Sequence, residues 1–340
     1  MKSNPQGDKR HAKRAWRGVI APLAIPLKDP DRLDGKGLGR LVAHVQTAGV
    51  HGLFLFGTTG EGPALPGPLR RELIRQVCRR CADTMPIFVG LSGMPLGEAL
   101  HLAEFAASEG AVAVVSTAPL YWPLTTAELV AFLERLSQNS PLPLLFYHIP
   151  ACVPLRLERP AVRAIVTLPQ MAGMKDSSPG MALGRLFLEE AAAAGRSDFA
   201  VFVGDEASLL KGLRMGAAGV IAGGVNLWPV LFVRLFQAVE AGDWRTARCI
   251  QRAIAQQGRA LYGIGRSGLP SLPALKSALA WMGICHDPMA APLQQLNARE
   301  RERIGTIMAR CGMKHGRLEA LPERPVPRKP AGNGGRTRPG

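Results

Sequence analysis

The run MAGMKDSS, residues 171–178, decides how this chain is read. Its first half is apolar and strand-like, and it ends on Lys175. Asp176 then opens a polar turn in which Ser178 can cap a helix with Pro179 at the first helical position. Just upstream, PLLFYH from Pro143 ends on Tyr147 and His148. The same kind of run recurs outward in both directions. Before it lie GVIAPLAI from Gly18, GLFLFG from Gly52, PIFVGL from Pro86 and AVAVVS from Ala111; after it come FAVFVG from Phe199 and GVIAG from Gly219. Segments such as LGRLVAHVQTAG, LRRELIRQVCRRCA and TAELVAFLERLSQ lie between them and repeat apolar residues every three or four positions, as one buried helical face requires. Nearly unbroken apolar strands indicate burial on both faces, as in a parallel sheet covered by helices. Eight such β–α units predict the α/β class and a (β/α)8 TIM barrel. An open doubly wound sheet fits less well, because GVIAPLAIPL stands where a G-x-G-x-x-G turn would be needed.

Beyond Asn226 the pattern is wholly helical. The expected organisation is a basic disordered tail over residues 1–17, a barrel over 18–241, a helical appendage packed on it over 242–313, and a basic Pro/Gly-rich disordered tail over 314–340. The 340 residues are 47% hydrophobic, ample for a core. No run reaches the roughly 18 apolar residues of a membrane span, and the basic N-terminus lacks an apolar stretch, so a cytoplasmic globular protein is expected. The formal charge is +16, of which +10 sits in the two tails. Such tails read as solvated, with at most weak, salt-sensitive phosphate contacts, so nucleic acid is not expected as a partner otherwise.

Lys175 carries the most chemistry. The chain has only ten lysines, and Lys175 alone ends an apolar strand, where its amine would face the mouth of a barrel. Burial without a carboxylate disfavours the ammonium form, leaving an amine able to attack a ketone and form a Schiff base. The bland alternative, left open by the sequence, is a lysine paired with Asp176. Tyr147, one strand earlier, could pass a proton to and from an oxygen of a substrate held by Lys175. GTTGEG, residues 57–62, supplies a turn with free N–H groups and the hydroxyls of Thr58 and Thr59, suited to a carboxylate or phosphate; Gly223-Gly224 could hold phosphate in the same way. No His/Cys/Asp/Glu spacing calls for a metal: Cys78 and Cys81 lie in a helical pattern and read as reduced structural thiols. His148 should point away from Tyr147 by strand alternation and read as a hydrogen-bonded structural histidine.

In order along the chain, GTTGE (57–61), PLYWP (119–123), YHIP (147–150), GMKDSS (173–178), GDEAS (204–208) and GVIAGGVN (219–226) resemble the dihydrodipicolinate synthase/N-acetylneuraminate lyase family of class I, lysine-dependent aldolases. The resemblance runs over roughly residues 18–312. It implies that Lys175 forms an imine with pyruvate or another 2-oxo acid and that Tyr147 relays protons. Thr58 and Thr59, in the turn opened by Gly57, would bind the acid's carboxylate, with Thr58 joining the relay. Tyr121 would complete the relay from a neighbouring subunit, and the backbone of Ile221 would line the pocket. It also implies an aldehyde co-substrate, no cofactor or metal beyond the covalent lysine imine, and a homotetramer built as a dimer of dimers.

One position departs from the synthase branch. Cys152 stands where an arginine two residues after the proline would grip the second substrate's carboxylate, and a thiol cannot supply that bidentate cation. Arg156 follows four residues later. The resemblance thus implies a Schiff-base lyase or aldolase, with 4-hydroxy-tetrahydrodipicolinate synthase and a keto-deoxy sugar acid dehydratase or aldolase as alternatives. A non-catalytic barrel binding polyanions through its tails is the alternative of another class.

Overall fold

The computed structural model describes residues 16–316 apart from Ala82, Arg266, Ser267 and Pro270. The tail expectations fall almost entirely outside those residues. Eight strands form a closed barrel: β1 (Gly18–Pro22), β2 (Gly52–Leu55), β3 (Ile87–Gly90), β4 (Ala113–Ser116), β5 (Leu144–His148), β6 (Met171–Asp176), β7 (Ala200–Val203) and β8 (Gly219–Val220). Every neighbouring pair around the ring is parallel, and β8 closes on β1 through Gly18↔Gly219 and Val19↔Val220. The expected (β/α)8 barrel is therefore present.

Helices fill the crossovers: α1 (Gly35–Thr47), α2 (Gly67–Cys81), α3 (Leu96–Glu109), α4 (Thr126–Asn139), α5 (Arg159–Val166), α6 (Ala182–Ala193), α7 (Leu209–Arg214) and α8 (Pro229–Glu240). Their starts are set by local chemistry. Thr125 and Glu128 form a reciprocal capping box on α4, and Asp34 accepts the Gly37 amide at 2.9 Å on α1. Three further helices, α9 (Trp244–Tyr262), α10 (Ser271–Trp281) and α11 (Ala298–Arg310), pack beside them. No helix among the described residues is long and apolar enough to cross a membrane.

Alternation divides each strand's side chains between two cores. Ile20, Phe54, Phe88, Leu145, Tyr147 and Phe202 gather inside the barrel, whereas Val19, Leu53, Val89, Phe146 and Val201 face the helix layer. Trp16 packs edge-on to Phe88 at 5.0 Å, and Arg17 pairs with Glu240. At the other end the Gly316 amide donates to the Trp281 carbonyl at 3.1 Å. Residues at both inner edges of the expected tails thus belong to the fold, because an apolar ring and a free amide there find partners on it.

Two backbone details set up the barrel's catalytic end. A Cβ on Gly173 would lie 2.2 Å from the Ala200 carbonyl oxygen, so only glycine lets β6 and β7 approach this closely, two residues before Lys175. Asn226, fully buried, accepts the Ala24 amide at 3.0 Å and donates to the carbonyls of Pro22 (2.8 Å) and Gly223 (2.9 Å). One amide side chain therefore ties the end of β1 to the loop after β8, with its donors and acceptor used.

Candidate active site

β5 and β6 bring the two foremost candidates together. Tyr147 and Lys175 are register partners, and Lys175 pairs onward with Phe202 of β7. Lys175 is 4% exposed, and its Nζ lies 4.1 Å from the centroid of the Tyr147 ring and 5.4 Å from that of Phe54. Among the described residues it has no carboxylate or hydrogen-bond partner. The open question of Asp176 is resolved by alternation. That carboxylate faces the helix layer, accepting the Ser178 amide at 2.8 Å and the Gly184 amide at 2.7 Å. Gly204, at the end of β7, completes the enclosure: a Cβ there would sit 3.0 Å from Lys175 Cε.

The Tyr147 hydroxyl shares a hydrogen bond with Thr58 Oγ1 at 3.2 Å, which links the lysine strand pair to the GTTGEG turn after β2. Within that turn the amides of Gly60, Glu61 and Gly62 close back on the carbonyls of Gly57 and Thr58. The amides of Gly57, Thr58 and Thr59 donate to no protein acceptor among the described residues. The turn thus offers three free amides, and two of them belong to residues that also carry hydroxyls. Gly57 has no room for a side chain, since a Cβ would meet Phe54 at 2.6 Å. Thr59 Oγ1 lies 3.4 Å from where a Gly223 Cβ would be, so the turn abuts the loop after β8. Ile221 is buried with the interior cluster, and its amide donates to the Val203 carbonyl at 2.8 Å.

Two expectations require correction. His148 does face away from Tyr147, opposite Asp176, but its buried Nδ1 has no partner among the described residues, so it is not the fully hydrogen-bonded histidine expected. Burial pushes its imidazole below the usual value, against the pull of the Asp176 carboxylate. Gly223-Gly224 does not offer a phosphate site. The Gly224 amide is already donated to Glu206 Oε1 at 2.6 Å, and a carboxylate there opposes an anion. Tyr121, expected to act on a neighbouring subunit, lies outside the site of its own chain: it is 90% exposed, at φ 78°, packed edge-on with Trp122 at 5.0 Å. Cys78 behaves as expected of a structural thiol, with burial pushing it up to about 12.

Sequence reasoning missed two pairs around the site, one buried and one partly buried. Glu61, in the left-handed region at φ 52°, pairs with Lys276 of α10 at 2.6 Å and accepts the Ala290 amide at 2.7 Å. The Lys276 ammonium also donates to the Pro288 carbonyl at 2.5 Å. The signal was a single charge inside the otherwise apolar LPALKSALAW. The second pair is Glu206 with Tyr262 of α9, whose hydroxyl donates to Glu206 Oε1 at 3.1 Å.

Burial pushes Glu206 up to about 7, against the stabilising bonds from Gly224 and Tyr262. A raised carboxyl value means that the folded state holds more protons than the unfolded one between pH ~4.3 and ~7. The stability this contributes is complete below the lower value and is lost as pH rises through the upper one. Glu206→Gln should therefore gain on the wild type between pH 5 and pH 8, by up to about 3 kcal/mol and a few degrees in Tm. Thermal melts at the two pH values check this; a difference independent of pH would contradict it.

Above Tyr147 and Thr58 opens a cavity of 280 Å³ whose walls include Leu120, Ile149, Cys152, Val153, Leu272 and Leu293. Arg156 is exposed and is not part of this wall.

A parallel eightfold barrel presenting an unpaired, buried lysine beside a phenol at the C-terminal ends of adjacent strands belongs with the class I aldolase type of lyase. The matching family model, the dihydrodipicolinate synthetase family, spans residues 15–310, and the chain belongs to that family. It is 32% identical over 308 residues to 4-hydroxy-tetrahydrodipicolinate synthase of Thermus thermophilus, covering 90% of this chain and 99% of that one. It is 29% identical over 297 residues to an uncharacterized DapA-like lyase of Halobacterium salinarum, covering 87% and 94%. The solved dihydrodipicolinate synthase of Bacteroides thetaiotaomicron superposes with a TM-score of 0.82 at 36% identity, covering 86% of this chain and 98% of that one.

Proposed function

We propose that this lyase makes or breaks a carbon–carbon bond through an imine between Lys175 and pyruvate or a related 2-oxo acid. The observation that carries the reading is the buried Lys175 amine, free of any carboxylate, in register with Tyr147. The amine attacks the ketone carbon, and one water leaves as the imine forms. Proton loss from C3 gives an enamine, because the protonated imine accepts the electron pair; no cofactor or metal is then required. The enamine carbon attacks an aldehyde carbon, the carbonyl pair moves to oxygen, and that oxygen takes a proton. Water hydrolyses the imine and returns Lys175, so the net reaction joins one 2-oxo acid and one aldehyde into a 4-hydroxy-2-oxo acid, reversibly.

Tyr147 and Thr58, 3.2 Å apart, form the proton relay. The amides and hydroxyls of Thr58 and Thr59, in the turn that Gly57 opens, hold the acid's carboxylate, and the Ile221 backbone lines the pocket. Tyr121, exposed on its own chain, enters the site of a neighbouring copy in a homotetramer. Synthesis from aspartate semialdehyde would need a cation where Cys152 stands. Sodium borohydride with pyruvate should reduce the imine and add its mass to the protein at Lys175; no adduct with pyruvate or with any other 2-oxo acid would overturn the reading.

Tyr147→Phe keeps the ring against Lys175 but removes the relay hydroxyl. Its kcat should fall about 10²- to 10⁴-fold with a much smaller change in KM. Steady-state kinetics check the split; an unchanged kcat would remove Tyr147 from the chemistry.

A further inference from the structure

We infer that the aldehyde partner of this enzyme is uncharged and carries an apolar aliphatic or aromatic substituent, recognised by the cavity above Tyr147; the inference rests on the Schiff-base reading. The walls where that substituent would lie are Leu120, Ile149, Val153, Leu272 and Leu293, with Cys152 at the rim. Among the described lining residues the one charged group is Glu61, and its two oxygens are taken by Lys276 and the Ala290 amide. The lining hydroxyls of Thr117 and Ser92 are each partly engaged. The Thr117 hydroxyl donates to the Ala118 carbonyl at 2.8 Å, and Ser92 Oγ accepts the Thr117 amide at 3.1 Å. The Thr58 and Tyr147 hydroxyls, which share a hydrogen bond, line the same cavity and serve the reacting carbonyl.

A carboxylated aldehyde would lose its hydration here without gaining a cation, and a sugar-like aldehyde would leave hydroxyls unpaired. An alkyl or phenyl group instead gains burial against leucine and isoleucine. Two of the wall residues, Leu272 and Leu293, come from the C-terminal region that Lys276 fastens to the Glu61 turn, so that region sets specificity as well as packing. The bond changes are those already given: the enamine carbon joins the aldehyde carbon, and the new alkoxide takes one proton.

The test measures kcat/KM of the purified full-length protein for condensing pyruvate with acetaldehyde, butanal, benzaldehyde, glyceraldehyde and succinic semialdehyde, beside borohydride trapping with pyruvate alone. From acetaldehyde to butanal the two added methylenes should raise kcat/KM about 15-fold, at roughly four-fold per buried methylene. Benzaldehyde should exceed both glyceraldehyde and succinic semialdehyde. Cys152→Arg should shift the ratio of succinic semialdehyde to butanal at least about ten-fold toward the acid while pyruvate trapping persists. Trapping together with a preference for the hydroxylated or carboxylated aldehyde, with no aldehyde accepted, or with an unchanged ratio in C152R, would overturn this inference alone. Absence of trapping would overturn it together with the Schiff-base reading.

Discussion

Lys175→Met should lower turnover of the 2-oxo acid by about 10⁴-fold or more and leave the melting temperature unchanged or higher. The loss follows from removing the nucleophile: without the amine there is no imine, no electron sink and no route to the C3 carbanion. The stability expectation has a separate cause. Methionine has a similar reach and can pack against the Phe54 and Tyr147 rings that Nζ now faces at 5.4 and 4.1 Å. It also removes a buried polar head that has no carboxylate partner. Kinetics and thermal melts on one preparation check both halves. Near wild-type turnover would place the chemistry elsewhere, and a large fall in Tm would mean that the lysine is structural.

Lys276→Met should have the opposite profile, destabilising the protein by about 3–5 kcal/mol. The pair with Glu61 is almost wholly enclosed, with the two side chains 2% and 0% exposed. Deleting one partner leaves a buried charge uncompensated, and that penalty dominates any Coulombic gain the pair provided. Glu61 would keep only the Ala290 amide, while its left-handed backbone conformation persists only if the surroundings hold it. Loss of that hold should also disturb Thr58 and Thr59 in the same turn, so activity should fall alongside stability. The double variant Glu61→Leu with Lys276→Met should recover most of the lost stability, because neither buried charge remains. Urea unfolding of the two single variants and the double variant measures this; additive losses would show that the pair is not coupled.

The barrel was legible because each strand is an apolar run bounded by turn residues and each crossover helix repeats apolar residues at helical spacing. The strand ends were legible too: Lys175 and Tyr147 stand out in MAGMKDSS and PLLFYH, and alternation assigns His148 to the other face. The sequence left open the partners of Asp176, which are the Ser178 and Gly184 amides. What alternation does not show is the partner each polar group finds. Gly223-Gly224 resembles an anion nest in sequence, yet Glu206, 18 positions earlier, occupies the Gly224 amide. His148 faces the expected side, but no local pattern could reveal that Nδ1 lacks a partner. The coupling of Glu61 to Lys276 spans 215 residues, beyond the reach of any periodicity. The cavity wall was hidden for the same reason, since Leu272 and Leu293 come from a region that reads only as helices beyond the barrel. Tyr121 is legible as a motif residue, whereas its exposure outside the site of its own chain is not.

The most direct measurement is the mass of wild-type protein treated with pyruvate and sodium borohydride, followed by peptide mapping. The account predicts one reduced pyruvate adduct per chain, located on Lys175 and absent from Lys175→Met. An adduct on any other lysine, or a protein that stays unmodified with every 2-oxo acid tried, would contradict it.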